Sequence, residues 1–325
     1  MKGNLTKRIL YLLILLLNTS CCFDDLYYEN DANCYIRLNI DWSKIDTRLN
    51  GASVYIYHRD GSLYKVLPPH PNPYTLDLVL PKGHYDLVVH NNTPYELPNL
   101  NFGGHEHAET FRVSPVKNQN TRYDLRSVLE PDVIGLAHLS DLEVTEAMID
   151  YYPYKPDSWK NRIYKDFTLS AEPVLHEVEI IAYVQFLSSV AGAPPSELQN
   201  MAGGVMMMTK EKYDEGLDYH FILNGRKFDS GSTTNGTISK KLKCFGFREN
   251  QQERYRLLMN FKLVNGDLHP IIIDVTDKIE KMDDFKYRIR IECSLPEMSG
   301  GGGGDSGFDP DVEDWENVDV DVPMN

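Results

Sequence analysis

Two histidines stand two residues apart in the run Gly103-Gly104-His105-Glu106-His107. On an extended strand, side chains at i and i+2 share a face, so both imidazoles could reach one cation. The sequence offers no obvious third ligand nearby. A polar turn leading into a strand at 110–113 accounts for the same residues, so no metal site is expected. Glu177 and Glu179 repeat that spacing and could present a carboxylate pair. The solvated outer face of a strand explains them more simply. Tyr151, Tyr152 and Tyr154, with Trp159 close by, gather aromatic rings that could stack on sugars or pack between domains. No Gly-x-Ser-x-Gly elbow and no His-Glu-x-x-His motif occurs. The glycine run after Ser299 lacks the Lys-Ser/Thr pair of a phosphate loop. These patterns predict neither an enzyme nor a dissociable cofactor.

The strongest chemical signal lies near residue 20. Lys2, Lys7 and Arg8 precede nine apolar residues at 9–17, and Asn18, Thr19 and Ser20 lead to Cys21. A basic start, a short apolar core and a small-residue junction describe a secretion signal. The apolar run falls short of the roughly 20 residues that span a bilayer. Thr19-Ser20-Cys21 resembles the junction at which bacterial lipoproteins receive their lipid. The usual Leu three places before the Cys is replaced by Asn18. Cys21 is therefore the expected acceptor of a covalent lipid, with Cys22 as the alternative. Acyl chains contribute about 0.8 kcal/mol per buried CH₂, and two or more anchor firmly. Asp24 and Asp25 resemble the acidic surface-export signal of Bacteroidota lipoproteins. The expected location is the outer membrane, lipid-anchored and facing the exterior.

Composition narrows the class. The chain has 325 residues and a net charge of −15; residues 1–20 hold three cations and no acid, so the remainder carries −18. Such acidity argues against nucleic acid, which demands a basic face. It also argues against electrostatic adhesion to anionic lipid. Tyrosine is abundant at 20 residues and β-branched residues are common, a composition suited to strands. Cys34, Cys244 and Cys293 include no CxxC pair, so neither zinc nor redox chemistry is signalled. One disulfide among them is compatible with export.

The elements that must position these residues read as strands. Ile36, Leu38 and Ile40 alternate with Tyr35, Arg37 and Asn39. Asp60-Gly61 divides two apolar runs, a hairpin signal. Leu76, Leu78 and Leu80 alternate before Pro81-Lys82-Gly83, and Tyr85, Leu87 and Val89 return. Later, Val178, Ile180, Ala182, Val184 and Phe186 share one face, as do Tyr255, Leu257, Met259, Phe261 and Leu263. Phe285, Tyr287, Ile289, Ile291 and Cys293 form a third such set. Short, turn-rich spacing favours sandwiches over βαβ units. Helix is expected in two short pieces only: one opened by Pro195-Ser196 and closed by Gly203-Gly204, and one capped by Thr276 or Asp277 and running through Met282. The expected organisation is a signal over 1–20, a linker over 21–32, domains over 33–150 and 151–298, and a tail over 299–325.

That tail begins with a glycine leash at 300–304 and contains eight acidic residues and no basic one. Val312, Trp315, Val318, Val320 and Val322 are embedded in the acid, and the last three alternate with Asp319 and Asp321. A solubilising tail would need neither the tryptophan nor the valines. A strand on a leash could complete its own domain or a partner's sheet edge.

Three stretches sharpen this picture: Leu80-Pro-Lys-Gly-His-Tyr-Asp-Leu-Val-Val-His-Asn91, Phe261-Lys-Leu-Val-Asn-Gly-Asp-Leu-His-Pro-Ile-Ile-Ile-Asp-Val-Thr-Asp277, and Val312-Glu-Asp-Trp-Glu316 after the glycine run. Their order resembles the fimbrillin-superfamily lipoproteins of Bacteroidota, and among these the FimB-type fimbrial anchor family. The resemblance implies an all-β chain of two tandem transthyretin-like β-sandwich domains with little helix. It also implies a role as a fimbrial (pilus) anchor or accessory subunit, with fimbrillin-like subunits as partners. The alternative is a surface glycan-binding lipoprotein of a nutrient-uptake system, for which Tyr151 to Trp159 would be the stacking platform. An exported hydrolase is a third class, and no converging acids or nucleophile support it.

Overall fold

The structure is a computed structural model that describes residues 33–118, 126–149, 165–213, 215–248 and 254–298. No α-helix occurs among the described residues, only strands and single 3₁₀ turns. Among the described residues no helix is long and apolar enough to cross a membrane.

The first sandwich grows from the alternation near residue 36. Strand Asn33–Asp41 buries Cys34, Ile36, Leu38 and Ile40 and turns Tyr35, Arg37 and Asn39 the other way. It sits between Thr75–Pro81, antiparallel, and Lys165–Ser170, parallel. Facing it is a five-stranded sheet in the order Glu172–Pro173, Gly135–Val144, Gly83–Asn91, Ala52–His58, Leu63–His70. Ile36, Leu38, Leu76, Leu78, Val54, Ile56 and Leu87 meet in the space between the two sheets. Each such side chain contributes about 1.5–3 kcal/mol by leaving water. The Asp60-Gly61 hairpin forms as expected: Gly61 takes φ +83°, and His58 N donates to Ser62 O at 2.9 Å.

The second sandwich repeats the plan. Its first sheet runs Gly225–Phe228, Gly236–Cys244, His176–Gln185, Lys286–Ser294, Ile279–Lys281. Val178, Ile180, Ala182 and Val184 face Ile289 and Ile291 across a parallel register. The opposing sheet runs Val190–Gly192, Arg256–Leu263, Ser196–Ala202, Gly216–Phe221, Ser127–Val128, with Leu268–Asp274 added on the outer side of Arg256–Leu263. The whole expected set Tyr255, Leu257, Met259, Phe261 and Leu263 is buried.

A small third sheet of Leu100–Gly103, Arg112–Pro115 and Val205–Met206 lies between the sandwiches. It covers the second face of the first sandwich's five-stranded sheet. Tyr55 packs on Phe111 with ring centres 4.5 Å apart, and His90 is stacked between Tyr55 and Phe102. Through Tyr55, Tyr57, Val88 and Leu136 this face joins the core of the second sandwich. Strand Ala52–His58 is accordingly buried along both faces. An apolar run without alternation is what a doubly covered strand requires.

Several sequence expectations are corrected. A single division near residue 150 does not describe the chain. Strand Lys165–Ser170 completes a sheet of the first sandwich, whereas Ser127–Val128 pairs in the second. The expected helix after Pro195 is the strand Ser196–Ala202. Both its edges are taken by neighbouring strands, and Asn200 at φ +67° makes a bulge. Ladder bonds on two sides outweigh a weak helical propensity. The expected helix through Met282 is one 3₁₀ turn, Thr276–Lys278, followed by strand Ile279–Lys281 on Lys286–Ser294. Phe186 leaves the face of Val178 because it sits at φ +59° and ends its strand. Cys34, Cys244 and Cys293 are all free, the first in one core and the second in the other.

Candidate functional site

Three exposed apolar side chains, Val264, Leu268 and Ile272, line the hairpin after Leu263. Gly266 turns the chain at φ +92°, Leu263 N donates to Asp267 O at 2.8 Å, and Asn265 Nδ2 donates to Asp267 Oδ2 at 2.7 Å. Strand Leu268–Asp274 then pairs with Arg256–Leu263 from Lys262–Leu268 to Arg256–Asp274. The bonds Leu263 N to Asp267 O and Val275 N to Tyr255 O bracket this ladder. Antiparallel ladders alternate between hydrogen-bonded and non-bonded pairs. His269, Ile271 and Ile273 therefore bond inward, and the backbone groups of Leu268, Pro270, Ile272 and Asp274 point away from the sheet. Pro270, which has no N–H, occupies an outward position, as prolines in sheets do.

Side chains follow the same division. Ile271 and Ile273 are half-buried against the second core. Leu268 is 68% exposed, Ile272 67%, and Val264 in the preceding turn 58%. Arg256 and Lys262, opposite Asp274 and Leu268, are exposed and carry no ion pair among the described residues. Arg254 is held by Asp274 and Asp277. The result is an open sheet edge, apolar on both faces and flanked by two unpaired cations. Unpaired backbone and exposed apolar side chains on one edge make a template for another strand. Sequence reasoning singled out 261–277 for its family resemblance and missed the edge. The signal was Pro270 inside a β-branched run.

The histidine run is a turn. His107 lies with its ring over Gly61, where a Cβ would come within 2.4 Å of Cε1, and its Nδ1 accepts from Glu109 N at 3.4 Å. That contact caps the 3₁₀ turn Ala108–Thr110, and the strand that follows is Arg112–Pro115. The His105 carbonyl accepts from Tyr57 Oη at 3.0 Å. No group of three metal-binding side chains occurs among the described residues. Glu177 and Glu179 are each matched to a neighbouring strand: Lys241 Nζ lies 3.1 Å from Glu177 and Arg288 Nε 2.6 Å from Glu179. They act as cross-strand ion pairs, not as an acid and a base.

A cleft of about 370 Å³ opens where the two sandwiches meet, lined among others by Asn92, Glu96, Asn99, Glu130, Asp132 and Lys243. Its carboxylates are largely committed. Asp132 accepts from Asn99 N at 2.7 Å, Glu96 from Thr93 N at 2.9 Å, and Glu130 from Lys243 N at 2.9 Å. Lys240 Nζ lies 3.3 Å from Glu130. The Glu130 contacts with Lys240 and Lys243 tie this region to the second sandwich. Behind it, burial pushes His90 down to about 4, so its ring is neutral near pH 7.

The remaining sequence-predicted residues lie outside the described ones. They are Cys21, Cys22, Asp24 and Asp25; Tyr151, Tyr152, Tyr154 and Trp159; and Val312, Trp315, Val318, Val320 and Val322.

Comparison with known proteins gives a family and a fold. The profile of a domain of unknown function, DUF5119, matches residues 20–221, reaching into the second sandwich. No curated protein matches the sequence. The crystal structure of a candidate adhesin from Bacteroides ovatus ATCC 8483 is similar with a TM-score of 0.57 at 17% identity, covering 84% of this chain and 96% of that one. A candidate adhesin from Bacteroides thetaiotaomicron VPI-5482 gives 0.52 at 10% identity, covering 80% and 92%. The fimbrial anchor protein Mfa2 from Porphyromonas gingivalis gives 0.46 at 11% identity, covering 79% and 90%. At these identities the first two likenesses establish a shared fold that runs through both sandwiches.

Proposed function

The chain belongs to the DUF5119 family, and from that premise we propose that it is a cell-surface lipoprotein acting as a fimbrial anchor or accessory subunit. The observation that carries this reading is the extent of the fold: both sandwiches together match a candidate adhesin over 96% of its length. The chemistry agrees. Glu177, Glu179 and the acids of the junction cleft are spent on ion pairs and backbone contacts, and His107 on a cap, which suits a structural protein better than a catalyst. Cys21 would take the lipid, with Cys22 as the alternative, and Asp24 and Asp25 would direct the anchored chain outward. Subunits of this architecture can join by adding a strand to a sheet edge, which supplies backbone hydrogen bonds and pockets for alternate side chains.

The test is affinity capture of the full-length protein from detergent-solubilised outer membrane. Pilus-type β-sandwich subunits should co-purify, and Cys21→Ser should shift the protein from the membrane to the soluble fraction. Capture that yields no such subunit would sink the anchor role. The alternative, a glycan-binding surface lipoprotein, draws on Tyr95, which is 96% exposed and adjoins Glu96 of the junction cleft. Binding on a glycan array, lost in Tyr95→Ala, would favour it.

A further inference from the structure

We infer that the open edge strand Leu268–Asp274 is the docking site of this chain's own segment 316–322, which adds to it as a strand in cis. This goes beyond the proposed role and does not depend on any pilus partner.

Four observations converge on that occupant. The first is where the described chain stops. Met298 N donates to Ser189 Oγ at 3.2 Å, and the carbonyl of that same Ser189 accepts from Val264 N at 2.9 Å. The last described residue therefore lies beside the hairpin from which the edge strand departs. The second is reach. Thirteen residues, Ser299 to Asp311, precede Val312. At about 3.3–3.6 Å per residue they can extend roughly 45 Å, whereas a seven-residue strand is only about 24 Å long.

The third is pattern. Glu316 to Val322 matches the edge strand in length and ends against Pro323. Val318, Val320 and Val322 would fall on one face, where Ile271 and Ile273 leave the second core half-covered. Asp319 and Asp321 would fall on the opposite, outer face. The fourth is charge. That outer face holds Arg256 and Lys262 without ion pairs among the described residues, and the tail carries eight acids and no base. The edge offers N–H groups at Leu268, Ile272 and Asp274 but none at Pro270. That missing donor weakens pairing with any passing strand, and a tethered strand, held at high effective concentration, tolerates the loss best.

Amide hydrogen exchange tests this directly, on three forms: the full chain, a chain ending at Met298, and the full-length variant Val318→Asp, Val320→Asp, Val322→Asp. In the full chain, the amides of Leu268, Ile272 and Asp274 should exchange slowly, and equally so at every protein concentration. In both altered forms they should exchange at least about tenfold faster, a loss of about 1.4 kcal/mol of protection. The amides of His269, Ile271 and Ile273 should remain protected by their inward bonds. Should truncation impair folding, the full-length triple variant carries the comparison alone. Fast exchange of the outward amides in the unaltered chain would overturn the inference. So would protection that rises with concentration, since the tail would then be pairing with a second copy. Neither result bears on whether pilus subunits are captured.

Discussion

Strands Ala52–His58 and Leu268–Asp274 are each seven residues long, and each reads as an apolar, β-branched run. Their surroundings are opposite. The first lies between two partners and is covered on both faces, by the first core through Val54 and Ile56 and by the second through Tyr55 and Tyr57. Among the described residues the second has one partner, half-buried residues on its inner face and exposed residues on its outer face. The same local composition thus serves a strand enclosed on both faces and one open along its outer face among the described residues. What separates them is the number of layers that later stretches of chain lay against each.

Substitutions should magnify that contrast. The largest effect is expected at the doubly covered strand. Tyr57→Ala should cost about 3–5 kcal/mol and Ile56→Ala about 2–5 kcal/mol, because each leaves a cavity that rigid neighbours cannot fill. Urea midpoints at pH 7 measure both. Small losses there would mean that the second face is not tightly covered.

Acid should act next, and on the enclosed regions. Burial pushes His90 and His176 each down to about 4 from the ordinary 6.5. The folded state therefore resists a proton that the unfolded chain accepts. Both rings are neutral in both states above pH 6.5, so no penalty exists there. As pH falls from 6.5 towards 4, the unfolded state binds more protons and stability declines, by up to about 3 kcal/mol for each histidine. His90→Phe, which keeps a ring between Tyr55 and Phe102, should remove one of the two contributions from a stability–pH profile. An unchanged profile would mean that His90 is not enclosed.

A smaller loss is expected at Asn91. Its Nδ2 donates to Val133 O at 3.0 Å and its Oδ1 accepts from Gly135 N at 2.7 Å, both at the start of the neighbouring strand Gly135–Val144. Asn91→Ala leaves those groups unpaired and should cost about 1–3 kcal/mol. At the edge, Ile272→Ala should shift the folding midpoint by no more than about 0.5 kcal/mol. A loss as large as that of Ile56→Ala would show that the edge is covered far more completely than its inner neighbours imply, and the comparison of the two strands would fail.

The alternation of Ile36, Leu38 and Ile40, the turn at Asp60-Gly61 and the Val178 and Tyr255 sets were legible because each is a local pattern. A strand half in water writes its period into its own residues. The ends of such sets were less legible, as Phe186 shows. The 195–203 stretch was misread because Pro195-Ser196 and Gly203-Gly204 are punctuation that suits a strand as well as a helix. Only the two flanking strands decide between them. His105 and His107 offered a true ligand spacing, but the turn around Gly61 uses one ring as a cap and leaves no third donor. The open edge was visible only as Pro270, a single residue whose meaning depends on the register of its partner.

By itself, then, the sequence determined that the chain is all-β, that it forms sandwiches, where most strands run and which side chains face a core. Those properties follow from period-two patterning and turn chemistry within a few residues. Tertiary structure alone decided that residues 127–128 and 165–170 exchange sides across the expected boundary, that Ala52–His58 is covered twice, that His90 is held neutral between two rings, and that Leu268–Asp274 has a single partner strand among the described residues. Each of these depends on contacts between stretches far apart along the chain, and the free energy of those contacts exists only once the layers are assembled.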